Sequence, residues 1–215
     1  MKISRIVYMA VFTVFACYVC TTSVNAQEIT ETYCSTDVPI VIPVAGFADD
    51  SVLNISDQGE IINVIVKLQI DHTFRDDLDV ILFSPDMTTI ELLSDVGGSG
   101  DNFGDECSPM PNFVLDDSAA FPVTDFSSGD PPAGTYRPEE PLSTFNGEEQ
   151  SGIWTLLIFA DAGGDLGRLN CWCLEITRLE RIRNVPTLSE WGLIAMAGIL
   201  GIVGLMVIRR RKVTA

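Results

Sequence analysis

Apolar and polar residues alternate strictly through residues 61–71 (IINVIVKLQID). Ile62, Val64, Val66, Leu68 and Ile70 fall on one face, and Asn63, Lys67, Gln69 and Asp71 on the other. That period of two predicts an antiparallel strand with one buried face. Shorter runs at 78–83 and 88–93 predict two more strands, joined by a turn at Ser84-Pro85-Asp86-Met87, where proline suits the second turn position. Residues 38–44 (VPIVIPV) predict a short edge strand, because two prolines limit its ladder donors. A turn at 48–50 follows. Runs at 153–159 and 169–177 close the region, with Trp154, Leu156 and Ile158 on one face and Trp172, Leu174 and Ile176 on another, both read as core. Residues 96–149 hold seven prolines and predict a long loop that wraps the strands with little regular structure of its own. No helical period is present between the two ends of the chain, so the pattern predicts an all-β sandwich.

The two ends read differently. Lys2 and Arg5 precede an apolar run at 6–19, and Val24-Asn25-Ala26 has the small-residue geometry of a cleavage site. Residues 1–26 are therefore expected to be a signal peptide, with Gln27 as the new N-terminus; an uncleaved anchor is the alternative. At the other end, residues 191–208 carry no charge and are long enough for a transmembrane helix. Trp191 stands at an interface position, and Arg209, Arg210, Arg211 and Lys212 fix the C-terminus on the cytoplasmic side. Between the ends, residues 27–39 form an N-terminal segment, 40–177 the domain, and 178–184 (opening RLERIR) a charged linker.

The whole chain carries a formal charge of −17. Residues 27–185 hold 29 Asp and Glu against 7 Lys and Arg, which is −22. Such a surface repels nucleic acid, and no nucleic-acid partner is expected. It is either a solvated surface or a source of ligands for a hard cation. With Cys17 and Cys20 removed by cleavage, Cys34, Cys107, Cys171 and Cys173 remain in an oxidising compartment. Cys171 and Cys173 share one strand face, too close for an unstrained mutual bridge, so each is expected to reach Cys34 or Cys107; the pairing stays open. Zinc spacing is absent.

The ordered series HTFRDDLDVILFSPDMTTIELL, GGSGDNF and TYRPEEPLSTFNGEEQSGIWTLLIFADAGGDLGRLNCWCLEI resembles the P domain, or P/Homo B domain, over residues 40–176. This module follows the catalytic domain of subtilisin-class proprotein convertases. The resemblance implies a jelly-roll β-sandwich of the galactose-binding-like kind, which stabilises and regulates an attached serine protease. It also implies occurrence in bacterial surface proteins without one. A Ser-His-Asp triad needs a histidine base, and the sequence holds a single histidine, His72, at a position that is not catalytic in the family. His72 is read as a satisfied sandwich residue. No G-x-S-x-G elbow is present, and the Gly-Ser-Gly at 98–100 has no partner base. No catalytic residues are therefore assigned. Met87 replaces the glycine common in the family's Ser-Pro-x-Gly-Thr turn, which predicts a differently shaped turn.

Bacterial P domains often bind Ca2+, which takes six to eight oxygens at about 2.3–2.6 Å. The candidate ligands are Asp77 and Asp79, at i and i+2 of one strand, Asp101 in the glycine-rich loop, the pair Asp116 and Asp117, and Asp161 and Asp165 in the last turn. Family position favours Asp77, Asp101, Asp161 and Asp165. The alternative is a set of turn-forming aspartates. Residues 185–212 resemble the IPTL-CTERM sorting signal of Gram-negative bacteria, with Val185 for the usual isoleucine, then Pro186, Thr187, Leu188, Trp191 and Gly192. That resemblance implies an inner-membrane intermediate and an exosortase-type transpeptidase as partner. Cleavage is expected near Pro186–Thr187, with delivery to the cell surface. Three functions follow as expectations: a surface-displayed binding or structural module, with Ca2+ as its cofactor; an accessory domain acting in trans on a subtilisin-like protease; and, on fold analogy alone, a carbohydrate-binding module.

Overall fold

The computed structural model describes residues 25–182 and 188–211. Two compact units divide the chain, and residues 27–180 form the first. Residues 1–24, and with them most of the expected signal peptide, lie outside the described residues, as do Val185, Pro186 and Thr187 of the sorting signal.

Eleven strands are described: β1 (Asn25–Cys34), β2 (Ile40–Ile42), β3 (Gly46–Phe47), β4 (Ser51–Ile55), β5 (Glu60–Asp71), β6 (Leu78–Phe83), β7 (Thr89–Ser94), β8 (Phe113–Leu115), β9 (Gly134–Tyr136), β10 (Gly152–Ala160) and β11 (Gly167–Ile182). They build two sheets. The first runs β1-β11-β5-β8-β9, with β2 also on β11; the second runs β3-β10-β6-β7, with β4 also on β10. The fold is thus an all-β sandwich, as the strand pattern predicts. Its core is the inward set of alternate positions: Val64, Val66, Leu68 and Ile70 of β5, Leu78, Val80 and Leu82 of β6, Trp154, Leu156 and Ile158 of β10, and Trp172, Leu174 and Ile176 of β11. Both indoles satisfy their N–H inside that core. Trp154 Nε1 donates to the Gln150 carbonyl at 3.0 Å and Trp172 Nε1 to Ser51 Oγ at 2.7 Å.

Several expectations need correction. Ile62 is not on the buried face; Ile61 is. Thr177 pairs with Asn63 and Arg178 with Ile61, so Ile62 is the extra residue of a bulge, and one extra residue flips the alternation beyond it. Residues 178–182 are not a linker. They continue β11: Arg178 is buried and pairs through its Nη2 with Glu31 at 2.9 Å. The 27–39 segment supplies β1, which runs against β11, with Thr30 Oγ1 2.8 Å from Thr177 Oγ1 and a disulfide joining Cys34 to Cys173. The second disulfide joins Cys107 to Cys171, which closes the question of pairing. The edge strand expected at 38–44 shortens to β2. Residues 96–149 do more than wrap the strands. They add β8 and β9 to the first sheet and send Phe103, Phe113, Leu115, Val123, Phe126, Leu142 and Phe145 into the core.

The Ser84–Met87 turn keeps the glycine-like shape in spite of its methionine. Met87 N–H donates to the Ser84 carbonyl at 2.9 Å, and Met87 itself sits at φ +66°. The residue is 74% exposed, so burial among the described residues does not hold it in that conformation.

In the second unit, helix α1 (Leu188–Arg211) has 24 residues, about 36 Å of rise. Residues 192–209 have a mean hydropathy of 2.2, so by length and composition the helix can cross a membrane. Leu188, Trp191 and Gly192 of the sorting signal open it.

Candidate functional site

One end of the sandwich collects three of the predicted site residues, Asp77, Asp161 and Asp165. β6 starts there, β10 ends there, and Ala160 pairs with Leu78. Just before β6, residues Arg75–Asp77 form a 3-10 turn. The turn is held by Arg75, which is 1% exposed. Its Nε donates to the Asn102 carbonyl at 2.6 Å and its Nη2 to the Asp101 carbonyl at 2.6 Å; Nη1 reaches the Ser127 and Asp130 carbonyls at 3.2 and 3.3 Å. The guanidinium lies 4.3 Å from the Phe126 ring centroid. Burial lowers its pKa, and the charges of Asp101, Tyr136 and Asp130 work against that. The buried cation is thus saturated with carbonyls and rings, which organises the loop around 97–102.

The 3-10 turn breaks the strand alternation, so Asp77 and Asp79 do not act as an i, i+2 pair. Asp77 is 7% exposed, and its carboxylate accepts no described hydrogen bond. Burial raises its pKa, with Asp165, Asp161 and Asp76 adding to the shift and His72 opposing it. The Asp77 carbonyl accepts from Asp161 N–H at 3.0 Å, and Asp165 accepts from Thr73 Oγ1. Asp77, Asp161 and Asp165 are therefore brought to one place. His72 is buried beside them. Its Nδ1–H donates to the Phe74 carbonyl at 2.6 Å, while its Nε2 is without a partner among the described residues, so the histidine is only half satisfied.

Asp79 belongs to a second group, on the outer face of the second sheet. Its Oδ1 is buried without a described partner. Its charge acts on Glu91 and Asp95 of β7 and the loop after it. The pKa of Glu91 is raised by burial, then by Glu139, Asp79, Glu140 and Asp95. That of Asp95 is raised by burial, then by Asp161, Asp79, Asp76 and Glu139. Glu139 and Glu140 come from the long loop and dock on β7, where Glu140 Oε2 accepts from Glu91 N–H at 2.8 Å and Glu139 Oε1 from Ser94 N–H at 2.9 Å. Sequence reading missed Glu91, Asp95, Glu139 and Glu140, because two of them reach the site only through the docking of a loop. The other candidates are structural. Asp101 is exposed and contributes its carbonyl to Arg75; Asp116 accepts from Ser118 N–H at 2.8 Å; Asp117 caps the 3-10 turn Leu142–Phe145 through Leu142 and Ser143 N–H at 2.9 and 2.8 Å.

In donor chemistry, Asp77, Asp161 and Asp165 suit a hard cation. In spacing, no three His, Cys, Asp or Glu side chains among the described residues form a group that could hold a metal ion. What the end of the sandwich presents is a set of mutually repelling carboxylates that His72 offsets in part.

A family model described as the proprotein convertase P-domain matches residues 61–176, and one described as the IPTL-CTERM motif matches residues 185–212. No curated protein matches the chain. Among solved structures, the chain is similar to the serine protease of Aeromonas sobria in complex with its chaperone (15% identity, 79% of this chain, TM-score 0.43) and to that protease alone (16% identity, 76% of this chain, TM-score 0.42). It spans 29% of the length of each of those chains. It is also similar to FlhE, at 11% identity over 71% of this chain and 98% of the other, with a TM-score of 0.39.

Proposed function

Because the chain belongs to the proprotein convertase P-domain family, we propose that it is a non-catalytic binding module, exported and displayed at the cell surface. The observation that carries this reading is the order of matches along the chain: a P domain over 61–176, followed directly by a sorting motif over 185–212. The P domain is the module that accompanies a serine protease, and not the catalytic domain. An exosortase-type transpeptidase cleaves the tail near Pro186–Thr187 and transfers the sandwich to a surface acceptor of a Gram-negative bacterium. Mass spectrometry of the surface form is expected to find the chain ending there. Recovery of an intact tail through Arg209–Arg211 would reject the sorting step. Affinity capture of the tagged full chain from its own envelope is expected to bring down a specific protein.

A second reading has the module serve a separate subtilisin-like protease in trans, and family membership itself favours it. Co-purification of such a protease supports it. The chain alone is expected to remain unlabelled by a fluorophosphonate probe; labelling would defeat the non-catalytic reading.

Ca2+ is the proposed cofactor, with Asp77, Asp161 and Asp165 as the ligands drawn in around it. Support comes from Asp77, a largely buried residue whose carboxylate accepts no hydrogen bond from the described residues and is repelled by Asp165, Asp161 and Asp76. Binding to the native state raises stability by mass action. Melts in Ca2+ and in EDTA are expected to differ, and identical midpoints would end this part of the proposal.

A further inference from the structure

The second sheet leaves its outer face open. Ile153, Thr155, Leu157 and Phe159 of β10 point outward, and cross-strand pairing sets Ile81 beside Leu157, Phe83 beside Thr155, Val52 beside Thr155 and Phe47 beside Phe159. With Thr155 among them, these side chains form a mostly apolar band. Phe47 and Phe159 touch at 4.6 Å between ring centroids. Ile153 is 58% exposed and Phe47 64%, which is unusual for a band of this kind on a solvated surface. Towards one end the band opens into a groove of about 550 Å³ lined by residues that include Phe83, Pro85, Met87, Ile153 and Leu157.

The other border of the band is acidic. Ile81 pairs with Glu91, and Asp79 stands between Phe159 and Ser94. Neighbouring strands lie about 4.8 Å apart, so each of these carboxylates adjoins the apolar row. Asp95, Glu139 and Glu140 extend the acidic side. The described ion pairs Lys67–Glu175 and Arg178–Glu31 are both on the first sheet. The chief influences on Glu91 and Asp95 are burial and other carboxylates, with no cation among them. Asp79 keeps a buried oxygen without a donor among the described residues. A second copy of the chain would bring the same negative charge to the face. A partner with cations beside apolar side chains would complete both halves.

We propose that the outer face of the second sheet is the docking surface of this binding module, and that its occupant is a protein segment carrying Lys or Arg interleaved with aliphatic side chains. Aliphatic groups cover the band and fill the groove; the cations meet Asp79, Glu91 and Asp95. The proposal rests on the binding-module reading above.

The test uses the full chain in phosphatidylcholine nanodiscs, with empty discs as the blank. The probes are short fluorescent peptides of one length: Lys alternating with Leu, Lys with Ser, and Glu with Leu. Lys/Leu is expected to bind, and more weakly as salt rises. F47S with I153S is expected to weaken it about tenfold, and E91Q with D95N several-fold. Both changes are at exposed or surface positions, and melts check that each variant is folded. Equal binding of Lys/Ser, or of Glu/Leu, overturns the proposal, as does no binding at all or unchanged affinity in F47S/I153S. Self-association abolished by F47S/I153S assigns the face to a second copy and also overturns it. If the protein captured from the envelope still binds F47S/I153S, the module reading stands and the assignment of this face falls.

Discussion

Arg75 and Asp77 stand two residues apart and meet opposite fates. Arg75 is buried with its charge completed: four backbone carbonyls and the Phe126 ring surround the guanidinium. Asp77 is 7% exposed, yet its carboxylate accepts no hydrogen bond from the described residues, and the charged groups acting on it are mostly other carboxylates. A buried charge costs several kcal/mol unless paired or hydrogen-bonded. The first charge therefore holds the fold together, and the second works against it. The contrast separates a charge that completes the fold from carboxylates that repel one another.

The largest test of that contrast is R75M. It removes the cation and leaves the carbonyls of Asp101, Asn102, Ser127 and Asp130 without their donor, and is expected to cost about 3 kcal/mol or more in urea unfolding. A cost near zero would mean that the loop does not depend on its charge. G97A attacks the same centre from the backbone. Gly97 has φ +89°, and a Cβ there would lie 2.6 Å from Arg75 Cδ; about 1–3 kcal/mol should be lost.

D77N should have the opposite sign, raising stability without Ca2+ by on the order of 1 kcal/mol at neutral pH. The pH dependence follows from the direction of the shift. A carboxyl whose pKa is raised on folding binds more protons in the native state, so stability falls as pH rises through the interval from its unfolded value, about 3.9, to its raised folded value. Thermal melts across that interval should show the fall in the parent chain, less of it in D77N, and a shallower fall with Ca2+. A rise would contradict the placement of Asp77.

The smallest effect separates strain from charge. Met87 holds a left-handed conformation with an exposed side chain, so M87G should add about 1 kcal/mol without altering the response to Ca2+ or pH.

The strands legible in the sequence are those whose alternation is written in aliphatic residues. β6 and the centres of β5, β10 and β11 follow from it, and so do both core tryptophans. β1 (NAQEITETYC) was not legible, because its place comes from pairing with β11, a disulfide and the Glu31 ion pair, and not from a hydrophobic face. β4 (SVLNI) alternates but is short enough to pass for a turn. Bulges at Ile62 and Asn170 are invisible in a pattern that assumes a regular ladder. The candidate site was half legible. Asp77, Asp161 and Asp165 fall in turns that the topology brings together. Asp79 and Asp101 were grouped with them because a 3-10 turn and an arginine-bound carbonyl leave no local signature. Glu91, Asp95, Glu139 and Glu140 required the docking of a distant loop on β7.

β11 is also the strand by which the chain leaves the sandwich. Tension on a tethered C-terminus would enter along that strand's axis. Its ladder with β5, from the Arg168–Asp71 pair to the Leu179–Glu60 pair, lies across the direction of pull, so its hydrogen bonds are loaded in shear together rather than unzipped in turn. The Cys34–Cys173 bond anchors the strand on one flank and the Cys107–Cys171 bond on the other. Beyond Cys173 only the terminal stretch of β11 can be drawn out before covalent bonds take the load. In a chain held by its C-terminus, the strand that closes the fold would thus also be its mechanical clamp.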